Sequence, residues 1–253
     1  MTFAAGRARH LGHPIMTLAD PTISTTEKGS HLATFLIDLS PSDMQRRLPE
    51  ALRIYVDAMR YPRGTEEQRA SMWLEHTRRR GWRAVAAVDT AHDRAVDTAH
   101  DGCGSGRDTE AERGQRSPTD DDVAAAHLLG VAYGYCGAPD QWWQQQVIQG
   151  LQRVGANPAH IAELMADYFE LTELHIDPRA QGRGLGEALA RRLLAGRPET
   201  HVLLSTPEIN GERNRAWRLY RRLGFTDVIR GYHFAGDPRA FAILGRALPL
   251  ENP

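Results

Sequence analysis

Apolar residues along the chain recur at two spacings, and the order of those spacings predicts the order of strands and helices. Short apolar or alternating runs predict seven strands, at 33–39, 82–89, 125–135, 168–176, 201–208, 226–234 and 241–247. Runs with apolar residues three and four positions apart predict six helices, at 41–59, 65–80, 140–154, 160–167, 185–194 and 214–225. Strands that alternate with helices, with strand pairs at the ends, predict one mixed α/β domain over 31–253.

Two segments lack this periodicity. Residues 1–30 are polar and contain Pro and Gly without an apolar pattern, so we interpret them as a flexible leader. The segment at about 90–122 is rich in Gly, Asp and Arg, and the sequence AVDTAHD occurs at both 87–93 and 95–101. We interpret this segment as a disordered insertion between two strands of a hairpin, with a regulatory or docking loop as the alternative.

Composition narrows the class of protein. A net charge of −1 gives no electrostatic reason to expect binding to nucleic acid or to an anionic membrane. No apolar run is long enough to span a bilayer and the N-terminal region lacks a signal peptide's apolar core, so a cytoplasmic protein is expected. Cys103 and Cys136 cannot form a disulfide framework, and the 11 histidines show no metal-binding spacing, so no metal is expected.

The most informative local pattern follows the strand predicted at 168–176. This apolar run stops at an Asp-Pro pair and leads into a turn that contains Gly182, Gly184 and Gly186, after which a helical pattern begins at once. Glycines leave the backbone N–H groups at the start of a helix unobstructed, and the helix dipole concentrates positive charge there. The turn is therefore suited to hold a phosphate or pyrophosphate.

Two common phosphate-binding classes do not fit this turn. A Walker loop requires a lysine after its glycines, and Lys28 is the only lysine in the chain. The dinucleotide-binding pattern GxGxxG requires a small residue three positions after its second glycine, where this chain has Glu187 or Leu189. A nucleotide-binding protein of either fold is therefore disfavoured.

A different register of the same residues is informative. Gln181, Gly184 and Gly186 form the spacing Q-x-x-G-x-G, which resembles the acyl-CoA signature of the GNAT superfamily of N-acetyltransferases. Downstream, NRAWRLYRRLGF resembles that superfamily's A-x-x-L-Y-x-x-L-G-F helix, and the two motifs together cover 165–230. The resemblance implies a GNAT-type α/β fold, which is a mixed, mostly antiparallel twisted sheet flanked by helices, with a splayed central strand pair.

The resemblance also implies an enzyme that transfers an acetyl group from acetyl-CoA to a primary amine by direct attack in a ternary complex. The amides of the turn would hold the pyrophosphate, Arg183 would add a charged contact, and the strand edge before the turn would pair with the pantetheine arm. The acyl-CoA-binding residues implied in this way are Leu174, His175, Ile176, Gln181, Gly182, Arg183, Gly184, Leu185, Gly186 and Asn214.

Acetyl transfer to an amine requires a base for the ammonium group and an acid for the leaving thiolate. The resemblance assigns the acid to Tyr220, although packing beside Leu219 and Leu223 is an alternative role. For the base, the pattern E-L-x-x-L-x-I-x-P favours Glu170 over Glu173, and water or a base elsewhere stays open. Strand alternation places the two glutamates on opposite faces unless a bulge intervenes.

One position departs from the family pattern. In many relatives an asparagine lies seven residues before the tyrosine, whereas this chain has Arg213 there and Asn214 one residue later. The resemblance therefore implies a contact of Asn214 with the cofactor only from a position one residue later, at the start of the predicted helix.

The acceptor side is less well specified. In this fold the first two helices and a loop between late strands shape the acceptor pocket, and clustered aromatic residues suit a cationic or apolar acceptor. The aromatic candidates are Tyr61, Trp73, Trp142, Trp143 and Tyr232, of which the tryptophan pair also fits a helix core. The acceptor is either a small molecule or a protein amine. A non-catalytic acyl-CoA-binding regulatory module is the alternative function, and homodimers through edge strands are common among relatives.

Overall fold

The computed structural model describes residues 33–90, 126–209 and 214–250. The leader predicted at 1–30, the predicted insertion beyond Thr90, Cys103 and Arg213 lie outside these ranges. Within them, the predicted strands and helices occur in the predicted order, with ends that differ by a few residues.

The described strands form one sheet of seven, in the order β1-β2-β3-β4-β5-β7-β6. Every neighbouring pair is antiparallel except β4 and β5, which are parallel. The sheet is therefore mixed and mostly antiparallel, which confirms the expected fold class. The strands are β1 (Ala33–Leu39), β2 (Arg83–Thr90), β3 (His127–Cys136), β4 (Tyr168–Ile176), β5 (His201–Pro207), β6 (Thr226–Tyr232) and β7 (Phe241–Ala247).

Helices cover both faces of this sheet. The first four helices bury their apolar sides against one face, and the last two pack together against the other. The helices are α1 (Pro41–Met59), α2 (Thr65–His76), α3 (Trp142–Arg153), α4 (Pro158–Ala166), α5 (Leu185–Leu194) and α6 (Arg215–Arg222). No helix among the described residues is long and apolar enough to cross a membrane.

The centre of the sheet is split. β4 and β5 pair at only three positions, the last of which joins Glu170 to Leu203. β5 continues along β7, whereas β4 continues along β3. From Leu171 to Ile176, β4 therefore has a neighbour on one side and, among the described residues, no strand on the other. This arrangement is consistent with the splayed central pair that the family resemblance implies.

A β-bulge lies in β4 where the split begins. Tyr133 of β3 pairs with Glu173, but the next residue, Gly134, pairs with Leu171, which leaves Thr172 as an extra residue. Side chains alternate along a strand, so one extra residue reverses the alternation beyond it. Glu170 and Glu173 consequently lie on the same face of the sheet, because the bulge intervenes between them.

Gly134 allows β3 to approach β4 closely at the bulge. A Cβ added there would lie 2.1 Å from the carbonyl oxygen of Glu170 and 2.6 Å from the ring of Phe169. Since both obstacles belong to a buried strand, neither can move aside cheaply.

We expect Gly134→Ala to destabilise the protein by about 1–3 kcal/mol, because the added methyl group overpacks the bulge. Urea unfolding monitored by circular dichroism measures the loss. Gly196→Ala is the control, since no atom lies within 4 Å of a Cβ there and its cost is limited to the positive φ of 65°. Wild-type stability in Gly134→Ala would contradict the close contact between the two strands.

Candidate active site

The glycine turn presents free backbone N–H groups at the start of α5. Asp177 accepts the N–H of Arg179 at 2.9 Å and starts a short 3-10 turn. Gly182 and Gly184 follow with φ of +87° and +80°, and no atom lies within 4 Å of a Cβ built on either. Gly184 is the N-cap of α5, and no side chain of the described chain caps that end. Among the described residues, the first N–H groups of the helix therefore have no side-chain partner at their N-cap, as an anion site requires.

The other two signature residues connect elements of the site. Gly186 lets α5 approach α6, because a Cβ there would lie 3.1 Å from the Leu219 side chain. Gln181 donates from Nε2 to the carbonyl oxygen of Ile176 at 3.3 Å, and its Oε1 accepts from Arg215 at 2.9 Å. Gln181 thus links the end of β4 to the start of α6 across the split.

The predicted pantetheine-binding segment lies on the unpaired edge of β4. Leu174, His175 and Ile176 pair with β3 along one side only. Backbone N–H and C=O groups on the other side need partners, which a ligand with peptide-like amides can supply. Leu185 buries its side chain in the core and contributes only its backbone to the start of α5.

Two predicted acyl-CoA contacts have protein partners in the structure. Arg183 extends to β1, where it donates to the hydroxyl of Thr34 at 2.8 Å. Asn214 caps α6 by accepting the N–H of Ala216 at 3.0 Å. The sequence did not indicate the first contact, because the two residues are 149 positions apart. The contacts of both residues with acyl-CoA stay predictions.

Glu170 lies at the point where β4 and β5 separate, and only 4% of it is exposed. Its Oε1 accepts long hydrogen bonds from Tyr135 at 3.3 Å and Thr172 at 3.4 Å, and its buried Oε2 has no partner among the described residues. Burial raises the pKa of Glu170 to about 8, in spite of the opposing charge of Arg79. This carboxyl group can therefore exchange a proton near neutral pH.

Glu173 has a different environment on the same face. Its side chain is 16% exposed, and its Oε2 lies 2.5 Å from Nε2 of His175. The His175 ring in turn packs edge-on against Tyr55, with 5.0 Å between ring centroids. Sequence reasoning named His175 only for its place on the strand edge and missed this pair, although the two-residue spacing on a strand was the available signal.

Tyr220 approaches the split from the α6 side. Only 6% of it is exposed, and its ring packs against Phe225 with 5.5 Å between centroids. Burial raises the pKa of Tyr220 above its usual value, and the charge of Glu173 adds to the effect. The phenol is therefore protonated at neutral pH, and it lies close enough to the carboxylate on β4 to interact with it electrostatically.

On the acceptor side, Tyr61 connects the turn after α1 with the loop between β6 and β7. Its hydroxyl accepts a hydrogen bond from Arg239, whose guanidinium lies 5.1 Å from the centre of the Tyr61 ring. Arg239 is paired with Asp237 in the loop between β6 and β7. This loop therefore meets the turn after α1.

The remaining aromatic candidates divide by burial. Trp73 and Tyr232 are buried in the core, and Trp143 packs against the core partly buried. The Tyr232 hydroxyl donates to Gln146 at 3.0 Å. Only Trp142, at the start of α3, is largely exposed, at 52%.

Sequence reasoning missed Tyr135 and Arg79. Tyr135 lies in an ordinary strand pattern, and Arg79 lies in a run of three arginines that is typical of a solvated surface. Only the pairing of Tyr135 with Glu170 across β3 and β4 reveals the connection.

No metal site accompanies these residues in the described part of the chain, where no three His, Cys, Asp or Glu side chains are grouped to hold an ion. Cys136 is a buried free thiol that donates to Glu199 at 2.9 Å.

Solved structures share this architecture. A protein from Acinetobacter baylyi ADP1 that is described as an acetyltransferase matches with a TM-score of 0.50 at 16% identity, over 89% of this chain and 98% of that one. NAA60 of Arabidopsis thaliana, solved in complex with acetyl-CoA, matches with a TM-score of 0.49 at 16% identity, over 85% and 99%. At such low identity the first of these likenesses speaks to the fold alone.

Sequence comparison identifies the family. The sequence model of a protein family, described as the acetyltransferase (GNAT) domain, matches residues 131–227. A GCN5-like protein acetyltransferase of Mycobacterium tuberculosis H37Rv is 69% identical over 220 residues, which span 87% of this chain and 100% of the relative. The chain therefore belongs to the GNAT family and is an acetyl-CoA-dependent N-acetyltransferase.

Proposed function

We propose that this enzyme acetylates a primary amine on a protein, by direct attack of the amine on the thioester of acetyl-CoA in a ternary complex. The observation that carries the mechanism is the position of Glu170, a buried carboxyl with a pKa of about 8 at the point where β4 and β5 separate. The choice of a protein acceptor is supported by the name of the mycobacterial relative, a protein acetyltransferase.

The donor side of this proposal uses backbone groups. The unpaired edge at Leu174–Ile176 would pair with the amides of the pantetheine arm, and the N–H groups after Gly184 would bind the pyrophosphate. Open space at Gly182 and Gly184 is compatible with close approach of a phosphate. Both sets of groups lie on one path, from the turn back along β4 to Glu170.

Two residues move protons in the proposed reaction. Glu170, when ionised, takes a proton from the ammonium group of the acceptor, directly or through water, and leaves a nucleophilic amine. The amine nitrogen bonds to the acetyl carbon, the carbon–sulfur bond breaks, and Tyr220 gives its proton to the departing thiolate. The second proton of the acylated nitrogen then passes to the Tyr220 phenolate, directly or through water, which leaves a neutral amide and restores the phenol. Glu173, paired with His175, is the alternative base on the same face.

We expect Tyr220→Phe to lower kcat by about a hundredfold with little change in the affinity for CoA, because only the proton donor is lost. Steady-state kinetics and calorimetric titration of CoA measure the two effects. Tyr232→Phe is the matched control, since its hydroxyl bonds to Gln146 on α3. An unchanged kcat in Tyr220→Phe would leave this residue with a packing role only.

The pH dependence of kcat separates the two glutamates. A base must be ionised to act, so with a pKa of about 8 for Glu170 the rate should rise with pH up to about 8 and then level off. We expect Glu170→Gln to lower kcat at least about a hundredfold and to remove this rise, whereas Glu173→Gln should keep it. The reverse result would transfer the role of base to Glu173.

Release of free thiol from acetyl-CoA tests the acceptor class. Candidate acceptors are peptides with an internal lysine, peptides with only a free N-terminus, and small polyamines. We expect turnover with a peptide amine, with the modified nitrogen located by mass spectrometry. Turnover of small amines alone would contradict a protein acceptor, and absence of turnover despite tight CoA binding would favour a regulatory acyl-CoA-binding module.

A further inference from the structure

A cation lies over the ring of the tyrosine whose hydroxyl contacts the buried carboxyl of Glu170. The guanidinium carbon of Arg79 is 4.7 Å from the centre of the Tyr135 ring. The hydroxyl of Tyr135 donates to Oε1 of Glu170 at 3.3 Å. Tyr135 and Glu170 are also direct partners in the pairing of β3 with β4. Arg79, Tyr135 and Glu170 thus form a continuous series of contacts from the surface to the point where the sheet splits.

The backbone holds Arg79 in this place. Its N–H donates to the carbonyl oxygen of His76 at 3.0 Å, and its own carbonyl accepts the N–H of Trp82 at 3.1 Å. These bonds fix the turn between α2 and β2 on both sides of the residue. The backbone that carries the guanidinium is therefore hydrogen-bonded on both sides.

In the part of the chain that the structure describes, the other groups around Glu170 supply no comparable positive charge. From α2, His76 is 7% exposed, and burial lowers its pKa to about 4, so it is neutral. From β3 and β4, the phenols of Tyr133 and Tyr168 have pKa values raised by burial and are also neutral. Glu173 opposes ionisation of Glu170, whereas Arg79 is the charge that favours it most.

We propose that Arg79 is a positioning residue of the transfer reaction, whose guanidinium acts through Tyr135 to favour the ionised form of Glu170. This inference rests on the proposed role of Glu170 as the base. A cation over the ring makes the phenol a stronger hydrogen-bond donor, and a stronger donor stabilises the carboxylate over the carboxylic acid. Arg79 contacts neither substrate in this account.

Loss of the positive charge changes the pKa of Glu170 in a definite direction. Without Arg79, the pKa of Glu170 rises, so a smaller fraction of the enzyme carries the ionised base at neutral pH. At pH values below the pKa of Glu170 the rate then falls, and at pH values well above this pKa the rate is unchanged. A merely structural role would instead lower the rate equally at every pH.

The experiment compares kcat from pH 6 to 10, with both substrates saturating, in the wild type and a set of variants. In Arg79→Gln we expect the rising part of the profile to move up by about half to one pH unit, with a threefold to tenfold loss at pH 7 and the same plateau. Arg79→Lys keeps the charge and should restore most of the activity at pH 7. Arg78→Gln is the matched control, because that side chain is 79% exposed and pairs with Glu75.

Tyr135→Phe provides a second test, which keeps the ring and removes the hydroxyl. We expect a shift in the same direction, and this variant decides the question if Arg79→Gln does not fold. A profile that keeps its wild-type position in either folded variant, or a loss that is equal at all pH values, overturns the inference.

Glu170→Gln distinguishes failure of the proposed base from failure of the inference about Arg79. If it retains the rising part of the profile, the assignment of Glu170 as base fails, and the role of Arg79 fails with it. If Glu170→Gln loses the rise but Arg79→Gln does not move it, only the inference about Arg79 fails.

Discussion

The site depends on one constraint, which is that β4 cannot stay paired with both β3 and β5. Three paired positions join β4 to β5, and beyond Glu170 each strand follows its other neighbour. Buried backbone groups require hydrogen-bond partners, so the free edge of β4 is stable only with water or a ligand along it. The split therefore creates a place for a chain of amides, and Gln181 bridges the same gap at its open end.

The bulge at Thr172 decides which side chains meet at the split. One extra residue brings Glu170 and Glu173 to the same face, yet their surroundings differ. Glu170 is buried with an oxygen that has no partner among the described residues, whereas Glu173 is partly exposed and paired with His175. Burial without a full set of partners makes a carboxyl group a good proton acceptor near neutral pH, and the cation behind Tyr135 limits how far its pKa rises. The chemistry thus follows from backbone irregularity as much as from residue type.

The order of elements was predictable because each apolar run has a clear period, and the strand at 168–176 has its predicted ends. The glycine turn was also predictable, since positive φ and an uncapped helix start are local requirements. The sequence could not show whether β4 contains a bulge, because an extra residue is defined by the pairing with the partner strand and not by the apolar pattern of β4 itself. The contacts of Arg79 and Arg183 depend on residues far apart in sequence, so no local pattern indicated them.

A crystal structure of the protein with coenzyme A tests the account most directly. The account predicts that the pantetheine amides pair with the backbone of 174–176, that the pyrophosphate lies on the N–H groups after Gly184, and that the sulfur lies within about 4 Å of the Tyr220 hydroxyl, on the side of the split that faces Glu170. A pantetheine arm that leaves the edge of β4 unpaired, or a sulfur remote from both Tyr220 and Glu170, would contradict it.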